Sequence, residues 1–399
     1  MIAAGRLAER TVALCVTGSV AAYKAAILAR LLKKEGARVV PVMSSAAEKF
    51  LGASTLSGLT GEEVMRDMFA SAGEAHVTLG ATADAIVIAP ATADVLARLA
   101  HGRADDLITA LVLCAKGKVL AAPAMHPRMW THPATQRNAK ELERLGRVEI
   151  LGPAVGKVAS GDDGPGRMLE PEQILEAVVL ALTPKDLEGL HVIVTAGPTI
   201  EDMDPVRFLS NRSTGKMGFA IAARAAARGA RTTLIAGPVQ LETPPRVHRI
   251  DVRSALEMQR TLHESGPADA IVMAAAVADY RFAKTSDTKQ KKGAETSTLD
   301  LVRNPDLLAE LGAARTGVRP VLVGFALETG TRAHLVAEAR RKLREKKCDV
   351  VVANEARVAF GGDDNEISFI TENRDDRLPR AAKVELADAL LDRIKSLLG

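Results

Sequence analysis

Residues 11–44 read TVALCVTGSVAAYKAAILARLLKKEGARVVPVMS. An apolar run, a glycine-containing turn, an alanine- and leucine-rich stretch stopped by Gly36 and a second apolar run spell strand, loop, helix, strand. The same grammar returns from residue 191: HVIVTAGPT, a loop, then STGKMGFAIAARAAARGARTTLIAG, with Gly229 ending a helix over 216–228. Strands buried in a parallel sheet are continuous apolar runs. ADAIVIAPA (83–91), GKVLAAPAM (117–125), DAIVMAAAV (269–277), PVLVGFAL (320–327) and CDVVVANE (348–355) fit that description. Their alternation with helical stretches predicts an α/β protein of two doubly wound, Rossmann-like domains. The helix PEQILEAVVLAL gives way to LTPKDLEGL (182–190), which divides the chain into 1–184 and 185–399.

Bulk composition narrows the function class. A net charge of +4 with 3% aromatic residues gives no electrostatic footprint or stacking platform for nucleic acid. The three cysteines, Cys15, Cys114 and Cys348, have no paired spacing, which speaks against a disulfide framework or a zinc site and for a reducing cytoplasm. No apolar run reaches the roughly 18 residues that span a bilayer, so no membrane partner is expected. Residues 11–22 mimic a signal segment, but Lys24, Lys33 and Lys34 follow at helical spacing.

In the first half, TGSVAAYK places Gly18 and Ser19 where a strand turns into a helix, and amide groups there favour an anion such as phosphate. A GxGxxG fingerprint is absent, so a dinucleotide is disfavoured; a plain tight connection is the competing reading. APATAD (89–94) brings Thr92 to a second such turn, and MSSAA brings Ser44 to a third. Three strand ends carrying small hydroxyl residues make a mononucleotide crevice. His76 lies in EAHVTLG, at the polar approach to a short apolar stretch beside that crevice. The run GPAVGKVASGDDGPGRM (152–168) is too rich in glycine and proline for a helix or strand interior. Because a helix of the same domain follows it, it reads as a covering loop and not as a linker.

GSVAAYK, AHVTLG, APATAD, PAMHPRMW and GDDGPGRM, in this order across residues 10–180, resemble the flavoprotein cysteine decarboxylases. These are trimer-forming FMN proteins that act on a C-terminal cysteine moiety. The resemblance implies FMN held by Gly18, Ser19, Val20, Ser44, Ala91, Thr92 and Met125. It implies that His76 handles a proton or holds the carboxylate while the substrate is oxidised to a thioaldehyde and loses CO2, and that 152–168 is a lid. In that family a lid cysteine gives the last proton, when the resulting enethiolate is reduced to the saturated thiol. Here the matching residue is Ser160, a far weaker acid, and the family's asparagine in PAMN is His126. Either another acid has taken over, with His126 the candidate, or the half-reaction stops at the enethiol. Intact flavin loops, His76 and lid favour the first.

In the second half, TAGPTIEDMDPVRFLSNRSTGKMG (195–218) contains GK but lacks the glycine a P-loop needs. Ser213, Thr214 and Gly215 introduce the next helix, as a plain N-cap also would, with Arg207 and Asn211 before them. AAAVADY ends a buried strand on Asp279, and KQKKG follows with Lys289, Lys291 and Lys292. A basic cluster near a strand-end carboxylate suits a metal-bound polyphosphate better than a solvated face. Together with RNPD (303–306), GFALET (324–329), Lys342 and Lys346, this set resembles the phosphopantothenate–cysteine ligases in their bacterial, CTP-using form. The order of the halves is similar to that of the bifunctional coenzyme A biosynthesis proteins.

The resemblance implies that the 4′-phosphopantothenate carboxylate attacks CTP to give an acyl-cytidylate, from which the amine of cysteine displaces CMP. Ala274, Ala275, Val302, Arg303, Asn304, Pro305 and Phe325 would form the nucleotide pocket, Asp279 the ribose or Mg2+ side, and Lys289, Lys342 and Lys346 the triphosphate clamp. Asn211 would hold the activated intermediate and Arg207 would reach it, or the substrate phosphate, across a dimer. A homo-oligomer, trimeric through the first half and dimeric through the second, follows. The competing readings are a ligase fused to an impaired flavin domain, and a flavoprotein that only binds or regulates.

Overall fold

In the computed structural model, which describes residues 5–69, 74–289, 298–328, 331–355, 362 and 364–399, residues 11–43 form β1 (Thr11–Val16), α1 (Tyr23–Lys34) and β2 (Arg38–Met43). Gly36 takes a left-handed φ of 88°, which lets the chain reverse from α1 into β2. Two compact units result, residues 1–183 and 184–399. The first continues through α2 (Ala53–Thr60), α3 (Ala75–Thr82), β3 (Ala85–Ala91), α4 (Ala93–Ala100), α5 (Leu107–Leu113), β4 (Lys118–Pro123), α6 (Pro127–Thr131), α7 (Pro133–Leu145) and β5 (Glu149–Ile150). Its five strands are all parallel, in the order β2-β1-β3-β4-β5. β3 is buried at every position, which is why it reads as an unbroken apolar run. The chain reverses its progress across the sheet between β1 and β3, the place where open α/β sheets bind ligands.

The stretch read as a structureless loop is instead a two-stranded antiparallel hairpin, β6 (Ala154–Lys157) with β7 (Asp163–Arg167), before the closing helix α8 (Pro171–Leu182). Glycine does not prevent pairing here. It allows the ribbon to lie against the loop after β4, because a Cβ on Gly166 would stand 2.3 Å from the Met125 carbonyl oxygen. One on Gly164 would stand 3.0 Å from Pro127. Downstream, the buried Lys24 of α1 anchors the ribbon's exit, its ammonium donating to the Met168 carbonyl at 3.1 Å and to the Glu170 carboxylate at 3.0 Å.

The second unit opens with β8 (His191–Ala196), β9 (Ile200–Asp202), β10 (Phe208–Ser210), α9 (Lys216–Ala227), β11 (Arg231–Ala236), β12 (Val247–Asp251), α10 (Ala255–Glu264) and β13 (Ala270–Met273). β14 (Tyr280–Phe282), β15 (Leu301–Arg303), α11 (Leu307–Ala314), β16 (Val321–Glu328), α12 (Arg332–Glu345), β17 (Val350–Glu355), β18 (Asp364–Ile370), β19 (Asp375–Ala382) and a helix over Lys383–Leu398 follow. The sheet order is β12-β11-β8-β13-β16-β17-β18-β19, parallel as far as β17 and antiparallel thereafter. Its reversal of direction lies between β8 and β13. Sequence reading gave the parallel strands except the edge strand β12 and passed over the antiparallel edge, whose outer strand, DDRLPRAA, alternates too little apolar material to announce itself.

Asp186 fastens the final helix to the start of this unit, accepting from Arg228 at 2.7 and 2.9 Å and from Lys395 at 2.9 Å. The Arg228 guanidinium, helped by Lys395, holds this carboxyl at about 2, below the ordinary 3.8. A depressed value in the fold means that the stability it contributes is complete above the ordinary value and is lost as pH falls through about 2. Asp186→Asn is therefore expected to lower stability near neutrality and to flatten its dependence on pH below 4, as read by urea unfolding across a pH series.

Candidate functional site

The carboxyl ends of β1 to β4 converge through backbone contacts. Gly18 follows β1 so closely on the loop after β2 that a Cβ there would come within 2.6 Å of the Ala46 side chain. Ser19 caps the turn into α1, its hydroxyl accepting from Ala21 N–H at 3.3 Å, and Val20 beside it is exposed. Ser44 receives Ala47 N–H at 3.3 Å, and Thr92 caps α4 by accepting from Val95 N–H at 3.3 Å. Thr17, which sequence reading missed, ties the first and third loops together. Its buried hydroxyl donates to the Pro90 carbonyl at 2.7 Å and accepts from Thr92 N–H at 3.3 Å. Ala91 continues the chain of bonds, its carbonyl accepting from Ala124 N–H, and Met125 N–H reaches the Gly166 carbonyl of the hairpin, each at 3.0 Å.

His76 is the second residue of α3, which packs against α5. Its Nδ1 is buried and has no hydrogen-bond partner among the described residues. His126 caps α6, with Nδ1 accepting from Arg128 N–H at 3.2 Å, and its Nε2 lies 2.7 Å from Oδ2 of Asp162. The Ser160 hydroxyl donates to the same oxygen at 2.8 Å. These bonds, chiefly the one from His126, hold the Asp162 carboxyl below the usual carboxylate range. Asp162 was also missed from sequence, where it is one of two adjacent aspartates in a glycine run.

In the second unit a cleft of about 380 Å³ opens at the carboxyl ends of the strands. Asn211, Ala274, Ala275, Phe325 and Lys342 line it, as do Lys216, Asn354, Asn365 and Lys383, which sequence reading passed over. Helix α9 points its start at this cleft. Gly215, at φ 76°, occupies the cap position, so the Ser213–Thr214–Gly215 run considered as a plain cap from sequence places its glycine there, with the Ser213 hydroxyl accepting the Gly215 N–H at 3.4 Å. Gly218 lets α9 sit on the end of β8, since a Cβ there would be 2.5 Å from the Ala196 side chain.

Two fully buried threonines shape the facing turn: Thr195 accepts from Ala275 N–H at 3.1 Å and Thr199 from Ala278 N–H at 3.0 Å. Asn211 donates to the carbonyls of Ala276 and Val277 at 3.1 and 3.2 Å, which leaves its own side-chain oxygen for a ligand. Asn304 braces the same turn, donating to the Ala278 carbonyl at 2.8 Å while its N–H reaches the Asp279 carbonyl. The Asp279 and Lys289 side chains are exposed, and Val302, Arg303 and Pro305 flank the brace. Lys346 pairs with Asp306 at 3.0 Å, and Arg207 is held by the buried Asp204 of its own loop. Lys291 and Lys292 lie outside the described residues.

Larger grooves, of about 630 and 920 Å³, lie at the amino ends of the two sheets. Asp84 of the first is paired with Arg10, and Asp269 and Arg319 of the second pair with each other.

A family model described as "Flavoprotein" matches residues 3–183, and one described as "DNA/pantothenate metabolism flavoprotein C-terminal domain" matches residues 187–398. The coenzyme A biosynthesis bifunctional protein CoaBC of Vibrio vulnificus (strain YJ016) is 42% identical over 98% of this chain and 99% of its own length. The chain belongs to the bifunctional coenzyme A biosynthesis proteins. The CoaBC of Mycobacterium tuberculosis (strain H37Rv) is 44% identical over 96% of each chain. The crystal structure of the C-terminal domain of a CoaBC is 34% identical, covering 54% of this chain and 98% of that one with a TM-score of 0.46. Like the rest of its family, this chain is a bifunctional enzyme of coenzyme A biosynthesis, a phosphopantothenoylcysteine decarboxylase half followed by a phosphopantothenate–cysteine ligase half.

The family assignment makes the Thr199 hydroxyl testable. Thr199→Val leaves the buried Ala278 N–H unpaired, a local loss of about 1–3 kcal/mol. Ligase kcat/KM should fall while decarboxylation of supplied phosphopantothenoylcysteine, assayed in the same preparation, stays at the parent rate.

Proposed function

We propose that the second half activates 4′-phosphopantothenate with CTP. The substrate carboxylate attacks the α-phosphate, the acyl-cytidylate forms and pyrophosphate leaves; the cysteine amine then displaces CMP. The observation that carries this reading is the glycine-capped start of α9 facing Ala274 and Ala275 across one cleft, at the reversal point of the sheet. The N–H groups at a helix start favour a phosphate, and Lys342 on the cleft wall adds positive charge. Lys289 and Lys346 complete the triphosphate clamp, Val302 to Pro305 and Phe325 frame the base, and Asn211 offers its side-chain oxygen to the activated intermediate. Arg207 completes the site from a partner subunit.

No cluster of three or more metal-ligating side chains occurs among the described residues. That suits Mg2+, which takes one or two carboxylates and otherwise the substrate's own phosphates. Asp279, at the strand-end turn, would supply that carboxylate.

The first half holds FMN. The loops after β1 and β2 approach closely at Gly18 and Ala46, and Thr17 ties the loop after β1 to the loop after β3, beside the helix starts capped by Ser19 and Thr92. Gly18, Ser19, Val20, Ser44, Ala91, Thr92 and Met125 would line the cofactor, which when bound supplies the oxidation and later reduction of the substrate's cysteine end. The unpartnered Nδ1 of His76 is a donor or acceptor awaiting the substrate carboxylate or thiol. The final proton comes from the His126 side of the site, since an imidazole exchanges a proton near neutrality and the Ser160 hydroxyl does not. The product is 4′-phosphopantetheine.

Apolar side chains exposed on both units, Val20 just before α1 with Tyr23 and Ile27 on it, and Val206, Phe208 and Leu209 around β10, support trimers through the first and dimers through the second. The enzyme works in the cytoplasm.

Purified protein given 4′-phosphopantothenate, CTP, cysteine and Mg2+ should release CO2 and saturated thiol. Accumulation of enethiol with the flavin left reduced would show that no acid replaces the lid cysteine. Lys289→Gln should slow CMP release by roughly 100-fold, the scale of losing one transition-state charge partner; parent rates in that variant would remove Lys289 from the clamp.

A further inference from the structure

His126 is held at both ring nitrogens, and the two bonds come from different parts of the first unit. Nδ1 accepts from the Arg128 N–H in its own helix at 3.2 Å, so it carries no proton in the neutral ring. The proton sits on Nε2, 2.7 Å from Oδ2 of Asp162. Asp162 belongs to the turn of the β6–β7 hairpin, and the Ser160 hydroxyl of that turn donates to the same Oδ2. The hairpin is seated against Met125 and Pro127, the two neighbours of His126, at Gly166 and Gly164, where no Cβ fits.

We propose that Asp162 is the positioning residue of the decarboxylase half: by accepting from His126 and Ser160 through one oxygen, it makes a seated lid set the tautomer and ring orientation of His126. With the hairpin lifted, Nε2 loses its acceptor and the ring turns about the single bond from Arg128. With it seated, the ring plane is fixed by two bonds and the Nε2 proton has a defined place. Arg128 also stands near enough to favour the ionised carboxylate. The same contact gives Ser160 a use that needs no acidity. As a donor to Asp162 it braces the carboxylate from the lid side, opposite His126, a task that a serine hydroxyl performs better than a thiol.

The inference rests on His126 acting in decarboxylation, and the test separates the two. Decarboxylation of phosphopantothenoylcysteine is measured for the parent, Asp162→Asn, His126→Gln and the double variant, with ligase activity and visible flavin absorbance as controls for folding. Asp162→Asn is expected to lower kcat by about tenfold or more with KM within about twofold, because what is lost is the orientation of a proton-handling group. The double variant is expected to be no slower than His126→Gln, because the two residues act through one bond. Asp162→Glu, which keeps the charge, should recover part of the loss and covers the case in which Asp162→Asn folds poorly.

Parent kcat in Asp162→Asn, a change confined to KM, or multiplying losses in the double variant would each overturn the proposal while leaving His126 in place. A silent His126→Gln would overturn both.

Discussion

Backbone can approach backbone in this protein only where a side chain is missing, and both sites depend on that approach. Gly18 against Ala46, Gly166 against the Met125 carbonyl, Gly218 against Ala196 and Gly237 against the Pro198 carbonyl all stand at the carboxyl ends of strands. A Cβ at any of them would fall within 2.6 Å of a neighbouring atom. The consequence is that the loops pack backbone to backbone and bring N–H groups to the strand ends. That is the surface a phosphate-bearing cofactor or substrate fits.

Around those cradles most polar side chains hold protein rather than ligand. Thr17, Thr195 and Thr199 are buried, and each hydroxyl accepts from a backbone N–H of a neighbouring loop. Asn304 serves the turn after β13 in the same way, and Asp204 holds the loop that carries Arg207. Buried groups satisfied in this manner fix geometry that sequence spacing alone leaves open. By contrast, the buried Nδ1 of His76 has no partner among the described residues, and Asn211 and Lys342 line the cleft of the second unit.

This division explains how much could be read from the chain. Parallel strands such as Ala85–Ala91 are buried on both faces, so their apolar runs announced both sheets, and the motifs at their ends announced the two chemistries. Thr17, Thr199 and Asp162 were invisible because their meaning lies in partners 73, 79 and 36 positions away. The hairpin over 154–167 was read as loop because its pairing rests on backbone bonds, while its composition speaks of turns. Which residue of the Ser213–Thr214–Gly215 run caps α9 was not legible, since an N-cap is decided by backbone angles that such a run does not specify.

The outermost strand, β19, has a bearing on the life of the protein in a crowded solution. It presents Asp375, Asp376, Arg377 and Arg380 along its length, and Pro379 falls where the register with β18 slips between Asn365 and Ile367. A proline cannot donate to a further strand, and the slip bends the ribbon away from a flat template. Charges on an open edge also repel a like edge. An eight-stranded sheet would otherwise offer a long row of unpaired amides to any passing chain. Here that row is interrupted, so the sheet ends at β19 rather than growing by recruitment, and the enzyme can accumulate without seeding aggregates from that side.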